Sequence, residues 1–243
     1  MHLKQALLAL LLYPLLTCAQ AAEGNLLSIR YLAFNSANYL LLHYNTSNGS
    51  ADPQYAEKYR ADLQRLNHHL TQVPSPELRA EGQRFQSLIH DLEQQRDQPD
   101  LYPIWINPIL ESQAKIETLA QQLAHNGEDP GAIPLQLERL TLNSQRLLLF
   151  YQTRAFGSLA VYIDALKQDA PQTLDQAIQQ DFTALRSSLP QQTEELNKLE
   201  RKYNFIRRKV LQQQGEFVPD SVAYYLEQIS VESQQIAESI KPT

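Results

Sequence analysis

The sequence predicts an all-α helical bundle, and three observations lead to that prediction. Apolar residues recur at spacings of three and four along most of the chain, which is the period of an amphipathic helix. No segment shows the strict alternation that is typical of a β-strand. The 243 residues include only 7 glycines, too few for a β-rich fold with many tight turns. We expect two tandem up-and-down four-helix units that arose from an internal duplication.

Residues 1–21 have the layout of a secretory signal peptide. His2 and Lys4 form a basic start, residues 6–16 are mostly apolar, and residues 19–21 match the small-x-small pattern of a cleavage site. As a helix, residues 6–16 would be about 16 Å long, which is short of the roughly 30 Å hydrocarbon core of a bilayer. We therefore expect cleavage near Ala21, a periplasmic or secreted protein, and no transmembrane segment in the mature chain.

Cys18 leaves an alternative location open. The run from Leu15 to Cys18 resembles a lipoprotein cleavage box, although Thr17 stands where such boxes have glycine, alanine or serine. In that alternative the protein is anchored to an envelope membrane through a lipid on Cys18. The chain has one cysteine and one methionine, which is Met1. Cleavage after Ala21 therefore leaves no sulfur, which excludes disulfides, thiolate metal sites and cysteine nucleophiles.

Proline and glycine positions divide the remaining chain into eight predicted helices. Asp52, Ser75 and Asn107 each precede a proline, a pattern typical of an N-cap followed by the first helical turn. The densest apolar face begins near residue 133, and we expect that helix to be buried on several sides. The predicted helices cover residues 25–47, 53–73, 76–97, 107–125, 133–167, 172–188, 191–214 and 220–240.

A comparison of the chain with itself indicates the duplication. A shift of 116 residues aligns Arg30 with Arg146 and Pro74 with Pro190, and four flanking positions of each arginine also match. We expect one four-helix unit at 25–125, a linker at 126–134 and a second unit at 135–241. The alternative is that amphipathic helices of similar length converged on similar patterns.

The motifs of common enzyme classes are absent from the sequence. It contains no glycine-rich phosphate loop, no G-x-S-x-G nucleophile elbow and no H-E-x-x-H zinc pair. His90 and Glu93 have the spacing of half a metal site, but no second pair has matching spacing, which favours an ordinary solvated helix face. We therefore predict no catalytic residue, no metal site and no cofactor.

Arginines within apolar helices are the candidate ligand-binding residues. Arg30, Arg146 and Arg154 lie in such segments, and Tyr151 and Ser158 are near Arg154 in sequence. A buried guanidinium needs a carboxylate, which either the protein or a ligand supplies. Two hypotheses follow: the arginines pair with acidic residues of the chain or reach its surface, or they bind a small anionic ligand such as a carboxylate.

A second candidate is a basic stretch in the seventh predicted helix. Because the protein has a net charge of −6 and is predicted to be exported, we expect no nucleic-acid partner. Two hypotheses remain: peripheral contact with an anionic surface, or pairing with neighbouring acids on a solvated face. The residues concerned are Lys198, Arg201, Lys202, Arg207, Arg208 and Lys209.

These observations favour a non-catalytic binding or adaptor protein that acts through contacts with another envelope protein. The alternative function is binding or sensing of a small anionic ligand through inward-facing arginines.

Overall fold

A computed structural model of the chain describes residues 24–45, 52–95, 99–124, 131–156, 171–212 and 215–240. These residues form eight α-helices and no strand, which confirms the predicted all-α bundle. The predicted signal peptide, Cys18 and most of the predicted linker lie outside the described residues. The helices are α1 (24–44), α2 (Pro53–Gln72), α3 (Pro76–Glu93), α4 (Tyr102–Ala124), α5 (Ile133–Gln152), α6 (Pro171–Ser188), α7 (Thr193–Leu211) and α8 (Pro219–Ser239).

Two predicted N-caps are confirmed. The Asp52 carboxylate accepts a hydrogen bond from the backbone N–H of Gln54 at 2.9 Å, and α2 begins at the next residue, Pro53. The Ser75 hydroxyl accepts from the N–H of Leu78 at 3.3 Å, at the start of α3. Each side chain satisfies a donor that has no carbonyl partner within the first turn of its helix.

The third predicted cap is wrong. Helix α4 begins at Tyr102, so Pro108 lies inside the helix and Asn107 is not its N-cap. The ring of Pro108 removes one N–H donor, which deprives the carbonyl of Ile104 of its usual partner. Ile104 is 65% exposed, which leaves that turn close to water. Burial of neighbouring apolar residues, among them Ile106 and Ile109, keeps the helix continuous through the proline.

The prediction of one continuous helix over residues 133–167 is wrong at residues 153–156. Helix α5 ends at Gln152, and Thr153–Phe156 form a 3₁₀ turn. The Thr153 hydroxyl donates to the carbonyl of Phe150 at 2.7 Å and so bonds one of the last carbonyls of α5. Residues 157–170 are outside the described ranges.

Helices α1 and α5 form the centre of the fold. Every residue from Ile29 to Leu42 in α1 is buried, and α5 packs against α6 and α8. The prediction that the helix beginning near 133 is buried on several sides is therefore confirmed for α5. The side chain of Asn38 in α1 donates to the side chain of Gln145 in α5 at 2.8 Å, so the two central helices contact each other directly.

The order of neighbouring helices is similar in the two halves of the chain. Helix α2 packs against α3 and α3 against α4, as α6 packs against α7 and α7 against α8. The first half closes through contact of α1 with α4, and the second through α5 with α8. The duplication stays a prediction, which superposition of residues 25–125 on residues 141–241 would test.

Candidate functional site

Two of the predicted arginines meet at the centre of the fold. Arg30 is 3% exposed and donates from Nη2 and Nε to Glu117 of α4, at 2.6 and 2.9 Å, and from Nη1 to Glu138 of α5. Arg146 donates to the same Glu117 at 3.0 Å and to Asn143 at 3.2 Å. We call Arg30, Glu117, Glu138 and Arg146 the charge cluster. The charges of its two cations and two anions balance. The hydrogen bonds of Arg30 show that carboxylates of the protein itself occupy its donors.

Electrostatics within the charge cluster favour ionised partners. Burial alone would lower the pKa of the Arg30 guanidinium, but the hydrogen bonds and charges of Glu117 and Glu138 outweigh it and raise that pKa. Because both carboxylates are supplied by the chain, the geometry favours the hypothesis of internal pairing for Arg30. Binding of an anionic ligand at these arginines stays an untested alternative.

Arg154 and Tyr151 lie together at the end of α5. The Arg154 guanidinium is 4.9 Å from the ring centre of Tyr151 and 5.6 Å from that of Phe217. The Tyr151 hydroxyl accepts a hydrogen bond from the N–H of Val218 at 2.8 Å, which joins the end of α5 to the segment before α8. Ser158, the remaining predicted site residue, is outside the described ranges.

Four of the six basic residues of α7 are paired with acids. Arg207 makes two hydrogen bonds to Asp175, at 2.6 and 2.7 Å. The other three pairs are Lys198 with Glu194, Lys202 with Glu232 and Lys209 with Glu216. Arg201 and Arg208 are exposed. This pairing favours a solvated face, and contact with an anionic surface stays a prediction.

The sequence did not indicate a groove that the structure shows between α2 and α8. It has a volume of about 480 Å³, and a second cavity of about 400 Å³ shares Lys58, Tyr224 and Glu227 with it. We call the two together the tyrosine groove. The residues that matter to its chemistry are Tyr55, Lys58, Asp220, Tyr224, Tyr225 and Glu227.

Hydrogen bonds from tyrosines hold the carboxylates of the groove. The Tyr55 hydroxyl donates to Asp220 at 2.7 Å, and the Tyr39 hydroxyl, from α1 beneath, donates to Glu227. Burial first, and then these bonds to carboxylates, raise the pKa of both tyrosines above its ordinary value. The hydroxyls therefore remain donors at neutral pH. Since α1 and α2 precede the predicted linker and α8 follows it, both halves of the chain build the groove.

A cation occupies part of the groove. The Lys58 ammonium lies 4.8 Å from the ring centre of Tyr39, 5.6 Å from that of Tyr55 and 4.0 Å from Glu227 Oε2. The faces of tyrosine rings attract ammonium groups, and a carboxylate adds a direct charge interaction. The arrangement can therefore hold a positive group.

Exposed aromatic rings continue the groove onto the surface of α7. Phe205 is 70% exposed and Tyr224 is 57% exposed. Each lies against Tyr225, with ring centres 5.0 Å apart for Phe205 and 5.2 Å apart for Tyr224. We call Phe205, Tyr224 and Tyr225 the aromatic patch. Tyr225, which lines the groove, connects the two features.

Sequence reasoning missed the groove because its residues are far apart in the chain. The one local signal was Tyr224-Tyr225: two adjacent tyrosines on a helix cannot both face the core. The core face of α8 is formed by other residues, among them Val222, Ile229 and Ile236, which are buried.

The remaining chemistry and the comparisons add no catalytic assignment. Within the described ranges, no three histidine, cysteine, aspartate or glutamate side chains come together in a way that could hold a metal ion. In that same part of the chain, no helix has both the length and the apolar character to cross a membrane. In comparisons with known proteins, no family model, no curated protein and no solved structure matches this chain.

Proposed function

We propose that the protein is an exported, non-catalytic binding protein that binds a partner protein at the aromatic patch and the tyrosine groove. Export rests on the sequence of residues 1–21. The observation that carries the binding proposal is the exposure of Phe205 and Tyr224, at 70% and 57%, next to a groove. Rings of this size left in water are typical of the centres of protein interfaces.

The packing of the three rings supports the same proposal. The three rings stand on α7 and α8, which pack against each other, and each ring contacts a neighbouring ring. A preformed aromatic surface loses little side-chain entropy when a partner binds, because its rotamers are already restricted. The groove then adds hydrogen-bonding and charged groups beside an apolar centre, which is the usual composition of an interface.

The test is differential capture from an envelope extract of the source cell. Wild-type protein, the double variant F205A/Y224A and the control I104A are each immobilised. Ile104 is 65% exposed and lies on α4, so its truncation removes a comparable exposed apolar side chain elsewhere. We expect a protein that binds to wild type and I104A but not to F205A/Y224A. Identical retention by all three would contradict the proposal.

The location of the protein is tested separately. Intact mass of the purified mature chain distinguishes cleavage after Ala21 from acylation of Cys18. The proposal expects the unmodified chain that begins at Ala22, and an acylated Cys18 would replace the exported soluble form by the lipid-anchored alternative.

A further inference from the structure

The first step concerns Lys58, a cationic residue of α2 that lines both parts of the tyrosine groove. Its ammonium is held by two tyrosine rings and one carboxylate, with 4.0 Å between Nζ and Glu227 Oε2. The Lys58 side chain is 36% exposed. Exposed ion pairs and exposed cation–π contacts are weak, so a second cation that makes the same contacts can displace the Lys58 ammonium. Lys58 thus marks where a positive group is bound and is itself replaceable.

The second step is the charge balance of the groove. Three carboxylates line it, those of Asp220, Glu227 and Glu232. Lys202 of α7 donates to Glu232 and, at 2.8 Å, to Gln228, so the charge of Glu232 is already neutralised at this end of the groove. When Lys58 moves away, Asp220 and Glu227 keep only the tyrosine hydroxyls as partners, and each has a second oxygen available. The charge complementary to this groove is therefore positive.

The third step is the length of the groove. Along α8 its lining runs from Asp220 to Gln235, which corresponds to about 22 Å of helix. An extended peptide covers that distance with about six or seven residues. Exposed side chains, Tyr224 and Val231, border it, so the groove is open to solvent on one side. A small amine would stay half in water there, whereas a peptide lying along α8 contacts the whole length.

We propose that the tyrosine groove binds a basic peptide segment of a partner protein, and that one lysine or arginine of this segment replaces the Lys58 ammonium between Tyr39, Tyr55 and Glu227. This inference rests on the proposed function and specifies the chemistry of the partner. Gln228 and Gln235 also line the groove. The Gln228 amide oxygen already accepts from Lys202 at 2.8 Å, so the Gln228 amide nitrogen and the Gln235 amide are the groups that provide hydrogen bonds for the peptide backbone. The aromatic patch then contacts apolar residues next to the basic segment.

The test measures binding of fluorescein-labelled decalysine to the full chain by fluorescence anisotropy. Four forms are compared: wild type, K58M, D220N/E227Q and the control E111Q, since Glu111 is an exposed acid on α4. We expect K58M to bind about fivefold more tightly, because the competing internal cation is gone, and D220N/E227Q to bind at least about tenfold more weakly. E111Q should match wild type within about twofold. Thermal melts confirm that all four forms are folded.

Three results would overturn the inference. The first is no decalysine binding by wild type or K58M at low salt. The second is a loss of decalysine affinity in E111Q equal to the loss in D220N/E227Q, which would mean that decalysine is attracted only by the overall negative charge of the protein. The third is binding of spermine to K58M as tightly as decalysine, which would make the groove a small-amine site. If any of these occurs while F205A/Y224A still abolishes partner capture, the proposed function stands and only the basic-peptide chemistry fails.

Discussion

At the scale of single residues, the burial of charged side chains has the largest consequence for stability. The charge cluster places two arginines and two glutamates between α1, α4 and α5, and Arg30 is 3% exposed. A buried ion pair is expensive to desolvate, but removal of one partner is more costly because the other charge is left alone. The sequence predicted that these arginines need carboxylates, and the structure shows which carboxylates serve Arg30 and Arg146.

The first prediction is that R30A destabilises the protein strongly. It removes the partner that Glu117 and Glu138 share and leaves the buried cluster, where Arg146 still pairs with Glu117, with one negative charge in excess. We expect a loss of about 3–5 kcal/mol in the free energy of unfolding. The control is K198A, which removes an exposed pair with Glu194 within α7 and should cost less than about 1 kcal/mol. Urea denaturation followed by circular dichroism measures both. Equal losses for the two variants would contradict a structural role of the charge cluster.

The second prediction concerns the pH dependence of stability through Asp175. Burial alone would raise the pKa of this carboxyl, but hydrogen bonds from Arg207 and Tyr203 outweigh burial and lower that pKa below its ordinary value. A carboxyl with a lowered folded pKa contributes stability above its unfolded pKa, and this contribution is lost as pH falls through the folded value. D175N should therefore cost about 1–3 kcal/mol at pH 7.

The cost of D175N should shrink as pH falls below about 4, because the Asp175 carboxyl of the unfolded chain is then protonated while the folded protein still holds it ionised, and the contribution ends once the folded carboxyl is protonated too. Urea titrations of both proteins at pH 7, 5, 4 and 3 measure it. The control is E194Q, since Glu194 is exposed and its removal should change stability little at any of these pH values. A D175N cost that stays constant from pH 7 to pH 3 would show that Asp175 acts only through packing.

At the scale of helices, close approach of α2 and α3 depends on one glycine. A Cβ atom added to Gly82 in α3 would clash with the end of the buried Leu70 side chain in α2. At an exposed helix position, alanine in place of glycine stabilises by about 1 kcal/mol. The third prediction is that G82A has the opposite effect at this buried position. It should lower the free energy of unfolding by about 1 kcal/mol, because overpacking outweighs helix propensity.

A double-mutant cycle checks this prediction. In the L70A background the clash is absent, so G82A should become stabilising, and the coupling between the two positions should exceed about 1 kcal/mol. Chemical denaturation of the four proteins gives the cycle. Additive effects would mean that the two helices do not approach closely at this point.

The helices show what local pattern can and cannot predict. The starts of α2 and α3 were predictable because Asp52 and Ser75 act on backbone donors two and three residues away. The start of α4 was not, because burial of distant apolar surface keeps a helix with Pro108 inside it. The tyrosine groove was unpredictable for the same reason: Tyr39, Tyr55 and Tyr224 come from three helices, and only packing brings them together.

At the scale of the whole molecule, the two halves of the chain act as one structure around α1 and α5. Asn38 in the first half donates to Gln145 in the second, and Tyr39 donates to Glu227 of α8. The tyrosine groove exists only because α2 of one half and α8 of the other lie side by side. A binding site built in this way joins the two predicted units, so a partner that binds there should stabilise the contact between them.

The location of bound partner on this surface is the central claim, and site-specific photo-crosslinking in the source cell tests it most directly. A photoreactive phenylalanine analogue is placed at one position at a time. Gln54, Tyr224 and Gln235 line the tyrosine groove, whereas Glu111 and Thr183 are exposed on α4 and α6. We predict one discrete cross-linked protein from each of the three groove positions and none from the other two. Cross-links to a partner protein from position 111 or position 183, with none from the three groove positions, would contradict the account.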